Sequence, residues 1–194
     1  IDALRAQPDS RVRTAAALGL GSSAGDSDGY AALVTALHRD SSYAVQAAAA
    51  RGIGQSRNAN AETELDAKMR DGPDVHVLTA VLAALAATRD PRAASVLLDA
   101  AQPGTPEGVR ATALADLASM KDAVPREDSA RVIDAARSAI DDPVLTVRLS
   151  GEGLAGAFGF TQFRDAVARD ADAPLVIQSR LARRVLHELD AAGR

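Results

Sequence analysis

Four short strings in this 194-residue chain carry residue types at spacings that could do chemistry. His187-Glu188-Leu189-Asp190-Ala191 opens like His-Glu-x-x-His, in which two His one helical turn apart grip zinc while the Glu acts as base. Ala191 stands where the second ligand is required, and His38 and His76 sit in no such setting, so an exposed helix face is expected. Gly21-Ser22-Ser23-Ala24-Gly25 spells Gly-x-Ser-x-Gly, which makes a nucleophile only on a strained turn between a strand and a helix. Here a helical pattern precedes it and a polar run follows, so a turn between helices is expected. Asp26-Ser27-Asp28 starts like a calcium loop but lacks the third ligand pair and the closing Glu, leaving Asp28 as a helix N-cap. Gly151-Glu152-Gly153-Leu154-Ala155-Gly156 spells Gly-x-Gly-x-x-Gly, a phosphate cradle only where a strand feeds a helix. No catalytic, cofactor-binding or metal-ligating residue is assigned from these strings.

The elements that would have to position such groups decide the matter. An apolar residue, often followed by Arg or Gln, leads six copies of a signature at Val12, Val45, Val77, Val109, Val147 and Ile177. The steps between them are 33, 32, 32, 38 and 30 residues, a period that marks stacked repeats. Five residues after each leader come Ala17, Ala50, Leu82, Leu114, Glu152 and Ala182; eight after it come Leu20, Ile53, Leu85, Leu117, Ala155 and Val185. Those offsets share one side of a 3.6-residue helix, which predicts one buried stripe per A helix. Glu152 breaks that stripe.

Partner B helices are expected over Gly29–Arg39, Ala61–Arg70, Pro91–Ala101, Ser129–Asp141 and Phe160–Arg169, and a last A helix over Pro174–Ala192. Asp90-Pro91 and Asp142-Pro143 read as N-cap plus first helical residue. Asp9, Asp40 and Asp71 punctuate the array every 31 residues. Lys121–Asp128 reads as a longer loop that stretches the fourth unit. Three glycines within Gly151–Gly156 predict a kinked or thinly packed helix. Arg13, Arg110 and Arg148, each following its leader, are expected to form a ladder with linker Asp residues. Tyr30, Tyr43, Phe158, Phe160 and Phe163 are expected to fill gaps between Ala side chains.

Composition agrees with helices. Hydrophobic residues make up 47%, Ala is the commonest residue, and aromatics are only 3% with no Trp. Ala has the best helix propensity and lets helix axes approach closely. Net charge is −4, with 20 Arg against Lys68 and Lys121, which argues against a dedicated nucleic-acid binder. The absence of Cys excludes disulfides and thiolate sites. No run approaches the length of a membrane span, and the compartment stays unassigned. The expected class is all-α: a right-handed α-solenoid of antiparallel helix pairs, about five to six repeats, forming a single domain over 1–194. Ile1–Ala6 reads as the end of a helix begun upstream, with open apolar surface through which the chain would self-associate.

Asp9–Leu18, with its Val-Arg-x-Ala-Ala core, resembles the HEAT-like repeat, and the six copies extend the likeness across nearly the whole chain. That resemblance implies A helices on the convex side and B helices on the concave side, with protein or peptide bound along the latter. The single His-Glu falls short of the HEAT-repeat hydroxylases, which need several such pairs. Asp40–Ala49 and Asp90-Pro91-Arg92-Ala93 are similar to the C-terminal HEAT-like region of bacterial aminopeptidase-N-like zinc metallopeptidases. The function expected is therefore a non-catalytic scaffold or interaction module, with an upstream catalytic domain as one partner. The alternative is a HEAT-repeat enzyme of the phycobilin-lyase-like type; a base-excising enzyme is disfavoured by the acidic balance and the missing Trp.

Overall fold

In the computed structural model, which describes residues 1–21 and 27–193, twelve α-helices occur among the described residues and no strand does. They are α1 (Asp2–Ala6), α2 (Ser10–Gly21), α3 (Ser27–Arg39), α4 (Tyr43–Gln55), α5 (Ala61–Arg70) and α6 (Val75–Thr88). Then come α7 (Ala93–Ala100), α8 (Glu107–Ser119), α9 (Ser129–Ile140), α10 (Leu145–Phe158), α11 (Arg164–Ala168) and α12 (Val176–Ala192). The even-numbered helices are the A helices and carry the six leaders. The chain divides into two compact units, Ile1–Ala93 and Ala94–Arg194. In the first, α2, α4 and α6 stack in series, with α3 and α5 packed between successive members. In the second, α8, α10 and α12 stack in the same way, with α9 and α11 against α10 and α12.

The predicted stripe is the core except at Leu20, which is only half-buried. Ala17, Ala50, Leu82, Leu114, Glu152 and Ala182 are all fully buried, as are Ile53, Leu85, Leu117, Ala155 and Val185. Each such Leu or Ile contributes roughly 2 kcal/mol on leaving water. The leaders Val45, Val77, Val109 and Val147 are covered, whereas Val12 and Ile177 are 42% and 64% exposed. Those two lie on α2 and α12, whose A-helix contacts within their units are with α4 and α10 respectively.

Small residues set the spacing of the A helices. A Cβ on Gly54 would lie 2.6 Å from the Ala84 carbonyl oxygen and 2.8 Å from its Cα, so the backbones of α4 and α6 nearly touch. In α10, a Cβ on Gly151 would lie 3.0 Å from both the Ala139 carbonyl carbon and the Ile140 nitrogen. The helix expected to be thinly packed instead runs unbroken over 14 residues and is tightly packed at that point. Its glycines permit close approach rather than loosening the packing.

Helix ends show a second periodicity. The residue twelve after the leader takes the left-handed conformation in three units: Arg57 (φ 55), Arg89 (φ 54) and Gly159 (φ 67). Only the third uses the residue that adopts this conformation without strain. Carboxylates of Asp9, Asp40, Asp74, Asp90 and Asp142 each accept the backbone N–H two residues on, at 2.8 to 2.9 Å. In the third unit Asp74 therefore takes the capping role, while Asp71 instead lies 3.5 Å from His38.

These turns also correct several expected boundaries. Asp90 holds Pro91 and Arg92 in a turn, so α7 starts at Ala93, and Asp142 likewise delays α10 to Leu145. Asp28 lies in the first turn of α3 and is not its cap, because the helix starts at Ser27. The expected helix over Phe160–Arg169 opens as a 3₁₀ turn, Thr161–Phe163, before α11. Phe160 donates back to Ala155 across the Gly159 cap, which tightens that start. The long fourth connection holds two 3₁₀ turns, Lys121–Ala123 and Arg126–Asp128.

Candidate functional site

Three arrangements carry the polar chemistry of the fold. The first is a clamp repeated along the A helices. Arg13 grips Asp40 through two hydrogen bonds of 2.8 and 2.9 Å, Arg110 grips Asp142, and Arg148 reaches Asp170 at 3.2 Å. In the first two the Asp also caps its own helix start, and its carbonyl accepts a side chain from the next A helix. Gln46 donates to the Asp40 carbonyl at 2.7 Å and Arg148 to that of Asp142 at 2.9 Å. The Arg13 guanidinium holds the Asp40 carboxyl below the usual range. Burial opposes ionisation of Asp142, but the Val144 N–H, Arg110 and Arg148 outweigh it and lower its pKa as well. The ladder expected from sequence is thus present at all three Arg, and it ties successive helix pairs together.

The second arrangement surrounds Glu152. The stripe position that holds Ala or Leu in every other unit here holds a carboxyl that is 0% exposed. Neither of its oxygens accepts a hydrogen bond from a protein donor. It lines a cavity of about 310 Å³ together with Asp141, Asp142, Arg148, Arg169 and Asp170. Burial, and after it a side-chain hydrogen bond with Asp170 and the charge of that carboxylate, push the Glu152 pKa up to about 8, against the pull of Arg148 and Arg169.

The third is a groove of about 950 Å³ on the A-helix side of the second unit, between α8, α10 and α12. Gly153, Ala157 and Leu181 line it alongside the charged residues Lys121, Arg184 and Glu188. Lys121 is anchored by a 3.0 Å bond to the Ala157 carbonyl. A Cβ added to Gly153 would meet nothing within 4 Å, so this glycine leaves the groove open. Sequence reasoning missed the groove. Its signal was the Gly-x-Gly-x-x-Gly string read by helical face: Gly151 turns toward α9, while Gly153 and, against α12, Gly156 line the groove.

The other strings resolve more simply. His187 and Glu188 lie on the exposed side of α12, with Arg184 3.7 Å from Glu188. His38 stands 3.6 Å from Glu64, and exposed His76 pairs with Asp74 at 2.8 Å. Among the described residues no group of three or more His, Cys, Asp or Glu could hold a metal ion. Ser22–Asp26, which carry the Gly-x-Ser-x-Gly serine and the start of the calcium-like run, lie outside the described residues. Three of the aromatics form a cluster. Phe158 stacks on Phe160 at 5.4 Å, Phe163 meets Phe160 edge-on at 6.3 Å, and Arg137 caps Phe163 at 5.9 Å. Tyr43 fills no gap, being 56% exposed.

Residues 30–118 match the family described as HEAT repeats. The fold is a HEAT/armadillo-like α-solenoid. An engineered protein superposes with a TM-score of 0.58 at 18% identity, covering 97% of this chain and 94% of that one. Computationally designed armadillo repeat proteins for modular peptide recognition superpose at 0.53 and 16% identity, with 95% and 96% covered. The complex of CpcE and CpcF of phycocyanin lyase from Nostoc sp. PCC7120 gives 0.48 at 20% identity, with 96% and 93% covered. No curated protein matches the sequence. A HEAT-type scaffold or interaction module is consistent with this fold, and no described helix is long and apolar enough to cross a membrane.

Proposed function

We propose that this chain is a non-catalytic interaction module that holds a polypeptide partner, and that the α8–α10–α12 groove is its main contact surface. The groove carries this reading. Helix α10 contributes Gly153, open to solvent, and Gly156 to its lining, while Gly151 is taken up by packing against α9. An apolar wall with a few fixed charges suits a peptide segment better than a nucleic acid, whose phosphates need a concentrated basic stripe. The B-helix face, on which the resemblance to HEAT-like repeats would place the partner, is the second candidate surface and is charged. There Arg131 bridges Asp99 and Asp128, and Arg137 pairs with Asp134. The designed peptide-recognition repeats among the similar structures support the partner class.

A parent of the aminopeptidase-N-like class rests on resemblance alone. Asp40 is now a clamp residue, and Asp90–Arg92 a helix start, so repeat structure accounts for both strings. Reading the frame upstream of Ile1 for a zinc-peptidase helix tests that parentage. Self-association at the first helix has less to work with, since Leu4 is already buried by its own chain.

The test of the groove is a random-peptide display selection on the protein, with each selected peptide re-measured on Gly153→Phe. The open space at Gly153 lets this variant fill the groove without a backbone clash. Selected peptides should lose at least about tenfold in affinity. Undiminished binding would remove the groove from the proposal.

A further inference from the structure

We propose that the pocket around Glu152 is a binding site for a guanidinium group. This inference stands apart from the groove: it rests on α9, α10 and α11, and it survives if no peptide binds between the A helices.

The cations already present are engaged elsewhere. Arg148 binds Asp170 and the Asp142 carbonyl, Arg169 binds Asp141 and the Ala166 carbonyl, and Arg110 binds Asp142. Glu152 shares a carboxyl–carboxylate hydrogen bond with Asp170, and once it is ionised neither of its oxygens has a protein donor. With it ionised, the carboxylates of Asp141, Asp142, Asp170 and Glu152 outnumber those three guanidinium groups by one charge. A monocation restores balance, and a planar fork of N–H donors satisfies both Glu152 oxygens at once, which a compact ammonium does less well. The cavity, at about 310 Å³, has room for such a head group and its alkyl stem. An apolar side chain would serve packing better, as Ala and Leu do in the other units, so stability does not explain the Glu.

Two sources share this chemistry: a free guanidino compound, or an Arg side chain of a polypeptide. Calorimetric titration of the whole chain with n-butylguanidine, n-butylamine and blocked Arg- and Lys-containing tripeptides separates them. A guanidinium probe should saturate, the ammonium counterpart should bind at least about tenfold more weakly, and Glu152→Gln should weaken the guanidinium probe by at least about tenfold. Tighter binding of the Arg tripeptide assigns a polypeptide source; binding of n-butylguanidine alone assigns a small molecule. Affinity should rise from about pH 6 to about pH 9 as Glu152 ionises beside Asp170, Arg148 and Arg169. Glu152→Leu should fold with a higher Tm and bind neither probe. Absence of saturable binding up to about 10 mM would overturn the site, leaving only a proton shared with Asp170. Equal binding by Glu152→Gln, or a Glu152→Leu variant less stable than the parent, would overturn it too.

Discussion

Alanine at Gly153 and alanine at Gly151, two residues apart in α10, should move stability in opposite directions. Both substitutions relieve the helix-interior glycine, a gain of about 0.8–1 kcal/mol. At Gly153 nothing stands within 4 Å of the new Cβ, so most of that gain should survive. At Gly151 the methyl would lie 3.0 Å from backbone atoms of Ala139 and Ile140, which cannot rotate away. Separating α9 from α10 costs roughly 1–3 kcal/mol by the usual scale of overpacking, so the net change should be a loss of about 1 kcal/mol at the middle of that range and up to about 2 at its top. Urea denaturation followed by circular dichroism reads both. The expected result is a midpoint raised for Gly153→Ala and lowered for Gly151→Ala at similar slopes. Two variants that move together would refute the division of α10 into a packed face and an open one.

Other perturbations probe the remaining features. Asp142→Ala removes the grip of Arg110 and the Val144 cap together and should cost about 2 kcal/mol or more in denaturant titrations, with Asp142→Asn recovering part of it. Arg57→Gly relieves a left-handed residue on the surface and should raise stability by about 0.5–1 kcal/mol in the same titration. Glu152 has a folded pKa raised to about 8, so its contribution is full in acid and is lost as pH rises from about 4.5 through about 8. That loss is on the order of 5 kcal/mol at most, and a stability–pH profile should flatten over this range in Glu152→Leu.

The repeat was legible because a stripe of Ala, Leu and Ile at fixed offsets leaves a helix one face to bury, and eleven of its twelve offset positions hold apolar residues. The Arg ladder was legible for the same reason: Arg13, Arg110 and Arg148 share a register that aims them at the next linker. Asp71 misled because spacing alone cannot separate a capping carboxylate from a neighbour three residues away, and Asp74 makes the bond. Gly151, Gly153 and Gly156 showed as one motif, but their roles depend on which neighbouring helix each meets. Glu152 was visible as a break in the stripe. That its oxygens would lack donors and face a cavity required the arrangement of α9 and α11, which no local pattern encodes.

The most direct measurement on the proposed module is the map of backbone amide shift changes when a display-selected peptide is added to isotopically labelled protein. Changes should concentrate on α8, α10 and α12 around Gly153, Ala157 and Leu181, and should vanish in Gly153→Phe. Changes confined to the α9 and α11 faces, or unaltered in that variant, would contradict the groove as the place where a partner is held.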